Sequence, residues 1–140
     1  VRTHLETDFR YDFLLFGIYS PAREYKLAWA INQGCVCHFK KASDVILSQD
    51  DREIVPFAHF RYQRGSQIWR LIENQTYSPQ FSGQLLIPEL PDWNYLLWLH
   101  DPGEHIFLDT LKQNLKTIPD IKSFSQISVD LLANKDNLLF

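Results

Sequence analysis

An α+β sandwich, an antiparallel sheet with two helices on one face, is the fold class that the sequence predicts, and three observations predict it. Short runs rich in aromatic and branched apolar residues recur along the chain, as strands do. Two stretches instead place their apolar residues at helical spacing. With 45% apolar and 14% aromatic residues against 22% charged, the 140-residue chain has the composition of a folded protein and the length of one domain around one core.

Residues 12–19, DFLLFGIY, read as a buried strand. Ser20 can cap a helix and Pro21 suits its first turn. Over 22–33 the set Tyr25, Ala28, Trp29 and the set Leu27, Ala30, Ile31 make a broad helical face, and Gly34 supplies the stop. Residues 35–41, 54–62 and 67–73 follow as strands, the last two joined into a hairpin by Arg64, Gly65 and Ser66. In 67–73 neither alternating set is purely polar, which predicts a layer packed on each side of the sheet, and Pro56 argues for an edge position or a bulge.

Residues 74–83 have loop composition, 85–89 a short strand broken at Pro91 and Asp92, and 95–100 another strand. Asp101, Pro102 and Glu104 resemble a capping box for a helix carrying Leu108, Leu111, Leu115 and Ile118 and ended by Pro119. Ile127, Val129 and Leu131 alternate as a closing strand before a tail at 133–140. The order β-α-β, inserted strands, β-α-β is that of a ferredoxin-like split β-α-β sandwich with extra antiparallel strands, in a single domain spanning 1–140. There is no repeat and no internal linker.

Fourteen Lys and Arg against 17 Asp and Glu give a net charge of −3, so no global positive field draws in nucleic acid or anionic lipid. No stretch approaches the roughly 18 apolar residues of a membrane span, and the first ten residues carry charges where a signal peptide is apolar. Cys35 and Cys37 stand too close to staple distant segments, which suits a reducing compartment. A cytoplasmic setting is expected, with no cofactor and no metal.

The block DFLLFGIYSPAREYKLAWAINQ at 12–33, the block IPELPDWNYLL at 87–97 and the terminal NKDNLLF at 134–140 stand in the order found in the IPExxxVDF family, small proteins of Bacteroidetes-type bacteria. The chain resembles that family over most of its length. It departs where the family pattern has Val-Asp-Phe, carrying Trp93, Asn94 and Tyr95 instead, so Asn94 cannot complete an acid pair. The resemblance implies a bacterial cytoplasmic setting and brings no catalytic residue with it.

Cys35, Cys37 and His38 offer thiolate and imidazole ligands, but a strand puts the cysteines on one face and the histidine on the other, so buried structural cysteines are expected. The same geometry opposes Cys37 as a nucleophile with His38, leaving a distant base such as His59. Glu89 and Asp92 flank a bend and are either an acid/base pair or ordinary turn chemistry, the latter preferred. His100, Asp101, Glu104 and His105 cluster at a helix start, where capping already accounts for the acids. No common catalytic signature is present.

Trp93, Tyr77 and Phe81 are the loop aromatics best suited to an exposed binding patch, with Trp93 as anchor. The leading expectation is a non-catalytic protein-interaction or self-association module using Glu89, Asp92, Trp93 and Tyr95 of the bend and Leu138, Leu139 and Phe140 of the tail. The alternative is an RNA-binding hairpin in which Arg61, Arg64 and Arg70 meet phosphate while Tyr62 and Trp69 stack bases, with the net charge against it. An enzyme built on Glu89 and Asp92, or on Cys37, comes third.

Overall fold

A computed structural model of the chain describes residues 11–49, 53–81, 83–101 and 108–140. The apolar run after Asp12 forms β1 (Leu14–Tyr19), hydrogen-bonded on one side to β7 (Tyr95–His100) and on the other to β8 (Ser123–Ile127). With a neighbour on each edge and a layer on each face it has little room for polar side chains, and Leu15, Phe16 and Ile18 are fully buried. The helices are α1 (Glu24–Cys35) and α2 (Leu108–Lys116).

Between α1 and β7 lie β2 (Lys40–Lys41), β3 (Val45–Gln49), β4 (Glu53–Phe57), β5 (His59–Arg64) and β6 (Gln67–Glu73). Six strands form one sheet in the order β2-β5-β6-β7-β1-β8, every pairing antiparallel, while β3 and β4 form a separate two-stranded ribbon. The protein is thus a mixed α+β fold with a large antiparallel sheet and two helices among the described residues. Within that sheet β1 and β6, and likewise β7 and β8, run parallel with one strand between them, and a helix lies in each connection.

Each face of the sheet has its own core. On one, Phe16, Ile18, Trp69, Leu71, Tyr95, Leu97 and Leu99 meet Leu27, Ala28, Ala30 and Ile31 of α1 and Leu111 and Leu115 of α2. On the other, Leu15, Ile72, Leu96 and Trp98 meet Val55 and Phe57 of the ribbon, Leu86 and Ile87 of the following loop, and Val129, Leu132 and Leu138 of the C-terminal segment. Each large apolar side chain fully removed from water contributes about 1.5–3 kcal/mol, so both layers matter to stability. The expected layer on each side is present, and the second is built from ribbon, loop and tail.

Several elements differ from the sequence reading. Ser20 caps no helix: its Oγ accepts the Ala22 N–H at 3.1 Å, and α1 starts later, at Glu24. Gly34 does not stop α1, because Ile118 packs onto it: a Cβ there would lie 2.6 Å from the Ile118 side chain. The helix ends instead at Val36, which takes the left-handed conformation with φ 52°. Cys35 therefore belongs to the helix, and the expected strand at 35–41 shrinks to Lys40–Lys41.

The strand expected at 54–62 is two strands in two sheets, parted at Ala58. Glu73 makes the break possible: its backbone N–H donates to Ala58 O at 2.9 Å, and its carboxylate accepts the Ala58 N–H at 2.7 Å. Pro56 lies in the two-stranded ribbon opposite Ile46, where an edge is always near. The strand expected at 85–89 is only an isolated bridge between Gln75 and Leu85. The closing strand comes earlier than expected, and Val129–Leu131 is a 3-10 turn that buries Val129 and leaves Leu131 outside.

Candidate interaction surface

The bend and the tail are brought together, and they hold each other. Glu89 accepts the Asn134 backbone N–H at 2.7 Å and its Nδ2–H at 2.8 Å. Burial pushes the Glu89 carboxyl up, but these bonds outweigh it and hold the group below the usual carboxylate range. Asn137 donates to Leu86 O at 3.0 Å, the Trp98 indole N–H donates to Leu138 O at 3.0 Å, and the Tyr11 hydroxyl donates to Asp136. Lys135–Leu138 is a 3-10 turn, and Leu138 is fully buried.

Most of the expected binding residues are therefore engaged inside the domain. Trp93 is half-buried and lies against Gly17, where a Cβ would stand 2.4 Å from the indole ring. The exposed anchor expected at Trp93 is corrected accordingly: the sheet needs its ring as cover over β1. Tyr95 is buried and its hydroxyl donates to Ala22 O at 2.6 Å. Asp92 remains exposed, Leu139 is half-buried, and Phe140 keeps half its surface.

The bend is built by two asparagines that sequence reasoning missed. Asn74, fully buried, donates from Nδ2 to Leu90 O at 2.9 Å and Trp93 O at 2.8 Å, and accepts the Ile87 N–H at 2.8 Å. Asn94 accepts the Ser20 N–H at 3.0 Å and donates to Ser20 O at 2.6 Å. An asparagine can donate and accept at once, which a chain without regular pairing partners requires. That explains the amide at Asn94 without any role in an acid pair.

The hairpin divides its residues between the two faces. Arg61 stands opposite Arg70, and Tyr62 opposite Trp69. Alternation puts Tyr62 and Trp69 on the helix side, where Trp69 is buried and Tyr62 packs on Phe39 at 6.1 Å, while Arg61 and Arg70 point to the other side. The single face combining arginines and stacking rings that the alternative expected does not form. Arg64 is exposed beside the turn at Gly65, whose φ is 59°.

Cys37 is buried and its thiol donates to Asn32 Oδ1 at 3.5 Å. Burial pushes the Cys35 thiol up to about 11 and that of Cys37 up to about 12, so neither is a ready nucleophile. His38 is exposed against Tyr62, and His59 is held elsewhere by Ser43 and Arg70. Among the described residues no three His, Cys, Asp or Glu side chains converge. His100 Nδ1 binds Asp12 O at 2.7 Å, and Glu104 and His105 lie outside the described residues.

Among the large apolar side chains left outward, two aromatics stand on α1. Tyr25 is 65% exposed, Trp29 63% and Val36, at the helix end, 79%. At 3.6 residues per turn Tyr25 and Trp29 fall about 40° apart, on the side away from Leu27, Ala30 and Ile31, and Val36 follows at the left-handed end of the helix. Arg23 extends the patch by lying 4.5 Å from the ring of Tyr77 and 6.0 Å from that of Tyr25. The signal was in the sequence: the two apolar sets of α1 together cover more of the helix than one core can bury. Among the described residues no helix is long and apolar enough to cross a membrane. Comparison with family models, curated proteins and solved structures gives no match.

Proposed function

We propose that this chain is a non-catalytic protein-interaction module that docks through the outer side of α1. The observation that carries the reading is the pair Tyr25 and Trp29, two aromatic side chains left in water on one line of α1, with exposed Val36 at its end. Aromatic rings dominate interface energetics, and a helix face of this kind meets a copy of itself across a two-fold axis without further design. Self-association is the form tested first, a different protein partner the second. The bend and the tail support the fold beneath this surface.

The same reading includes a bacterial cytoplasmic setting, membership of the IPExxxVDF family and a ferredoxin-like core. The strand order β8-β1-β7-β6, with a helix on each of the two parallel crossovers, supports that core. The three matching blocks form β1 with α1, the bend with the start of β7, and the tail that closes on both. An RNA-binding role draws no support from the hairpin, whose rings face the helices.

Sedimentation equilibrium across a wide concentration range tests the reading. Association should weaken at least about tenfold in Trp29→Ser, consistent with the loss of an aromatic anchor. A chain that stays monomeric, and that retains from bacterial lysate no protein whose capture depends on Trp29, overturns it.

A further inference from the structure

Independently of α1, we propose that the opposite side of the sheet holds a binding site for a small organic carboxylate, with Arg70 as the group that receives the anion. The site is a cleft of about 530 Å³ where the second layer stops short, walled by Phe13, Ile68, Trp98, His100 and Phe140 around Arg70. That volume lies within the range of pockets that enclose small ligands.

Among the described residues Arg70 is a half-buried cation without a counterion. Among the described residues no carboxylate pairs with it, and its cross-strand neighbour is a second cation, Arg61. One donor is satisfied: His59 receives the Arg70 Nη1–H at 3.1 Å on Nε2, which is free to accept because Nδ1–H donates to Ser43 O at 3.0 Å. Arg70 Nε is buried and has no partner. Burial leaves Nε unpaired within the fold, and an oxyanion on the open edge of the guanidinium would neutralise the cation.

The walls give the class of ligand. The guanidinium lies 4.4 Å from the Phe140 ring and 5.1 Å from that of Trp98, so rings hold its plane in place. Phe13 stacks on Trp98 at 5.1 Å, and Ile68 adds an aliphatic wall. Apolar walls suit a hydrocarbon body, and a planar fork matches a carboxylate at its end. Asp12 is the acidic residue of the lining, and it gives its backbone oxygen to His100. A second recess of about 580 Å³ opens across Phe140, where Arg61 faces Asp44 and Asp136, so the uncompensated charge stays on the Arg70 side of the ring.

Phenylacetate, hexanoate, phenylacetamide and inorganic phosphate are the probes, titrated while the Trp98 indole N–H is followed by NMR. At least one carboxylate should shift that resonance saturably at low-millimolar concentration, with phenylacetamide at least about tenfold weaker, as expected for loss of a charge-assisted pair. Arg70→Gln should weaken the carboxylate by a similar factor while its other indole resonances stay in place. A flat titration with both carboxylates, equal binding of phenylacetamide, or phosphate binding as tightly as the carboxylates overturns the proposal. The wild-type comparison of acid with amide decides even if Arg70→Gln fails to fold.

Discussion

The two faces of the sheet are covered by opposite means. On the helix side, α1 and α2 satisfy most of their own backbone and pack mainly apolar side chains, with Asn32, bonded to the Phe39 N–H and O, and the Tyr95 hydroxyl as polar ties. On the other side a ribbon, a loop and a tail cover as much of the sheet with little regular pairing, and polar side chains must hold their backbone. Asn74, Asn94, Thr76 and Glu89 do so, each hydrogen-bonded to main chain far along the sequence, Thr76 to Pro56 O at 2.6 Å, and Glu73 holds Ala58 where the ribbon leaves the sheet. One face depends mostly on shape, the other on amides, a hydroxyl and a carboxylate that hold irregular backbone.

The most direct way to break this comparison is Asn74→Ala. Three bonds vanish, and Trp93 O and the Ile87 N–H are left unpaired under the loop while Leu90 O keeps only the Trp93 N–H, so stability should fall by about 3–5 kcal/mol. Urea denaturation measures it, and a loss no larger than that of an exposed asparagine would show that the loop is held by packing after all.

Glu73 sharpens the contrast through pH. Desolvation pushes its carboxyl from 4.5 up to about 7, against the opposing bond from Ala58. Between those values the folded chain holds a proton that the unfolded chain has released, so this contribution is complete below about pH 4.5 and is lost as pH rises through about 7. Glu73→Gln keeps the acceptor for Ala58 and removes the charge. It should stabilise the protein by about 2–3 kcal/mol at pH 8 and by much less at pH 4.5, read as melting temperature against pH.

The smallest effect is expected at Gly17, where the loop layer presses on β1. Gly17→Ala drives a methyl into the Trp93 ring and should cost about 1–3 kcal/mol, since a half-buried indole can shift outward. In a Trp93→Ala background the same change should cost nearly nothing, and a double-mutant cycle by chemical denaturation reads the coupling.

Legibility in the sequence follows the same division. The runs of β1 and β7 and the turn at Gly65 announce themselves locally, because spacing and turn residues act within a few positions. The parting of β4 from β5 does not, since it rests on Glu73, fifteen positions beyond Ala58. The strand Val45–Gln49 escaped because its pairing is confined to a two-stranded ribbon. Gly34 looked like a stop because the contact that needs it comes from Ile118.

The candidate surfaces divide likewise. Glu89 and the tail were visible as a set, but their mutual bond spans 45 positions, and without it both looked free to bind something else. Tyr25 and Trp29 were read with Leu27, Ala30 and Ile31 as one broad helical face, because period alone does not say which of two apolar arcs the sheet receives. Arg70 was visible as a charge, but its burial depends on Trp98 and Phe140, which are distant in the chain.

The place of β1 has a consequence in time. Among the first strands made, it ends between partners made last: Leu15 pairs with Trp98, and Gly17 with Ser125. Until those arrive, an uninterrupted apolar strand has both edges open, and closing so long a loop demands entropy before any pairing repays it. Folding is therefore governed by late, long-range closure, and a newly made chain needs shelter from its neighbours most while its C-terminal third is still emerging.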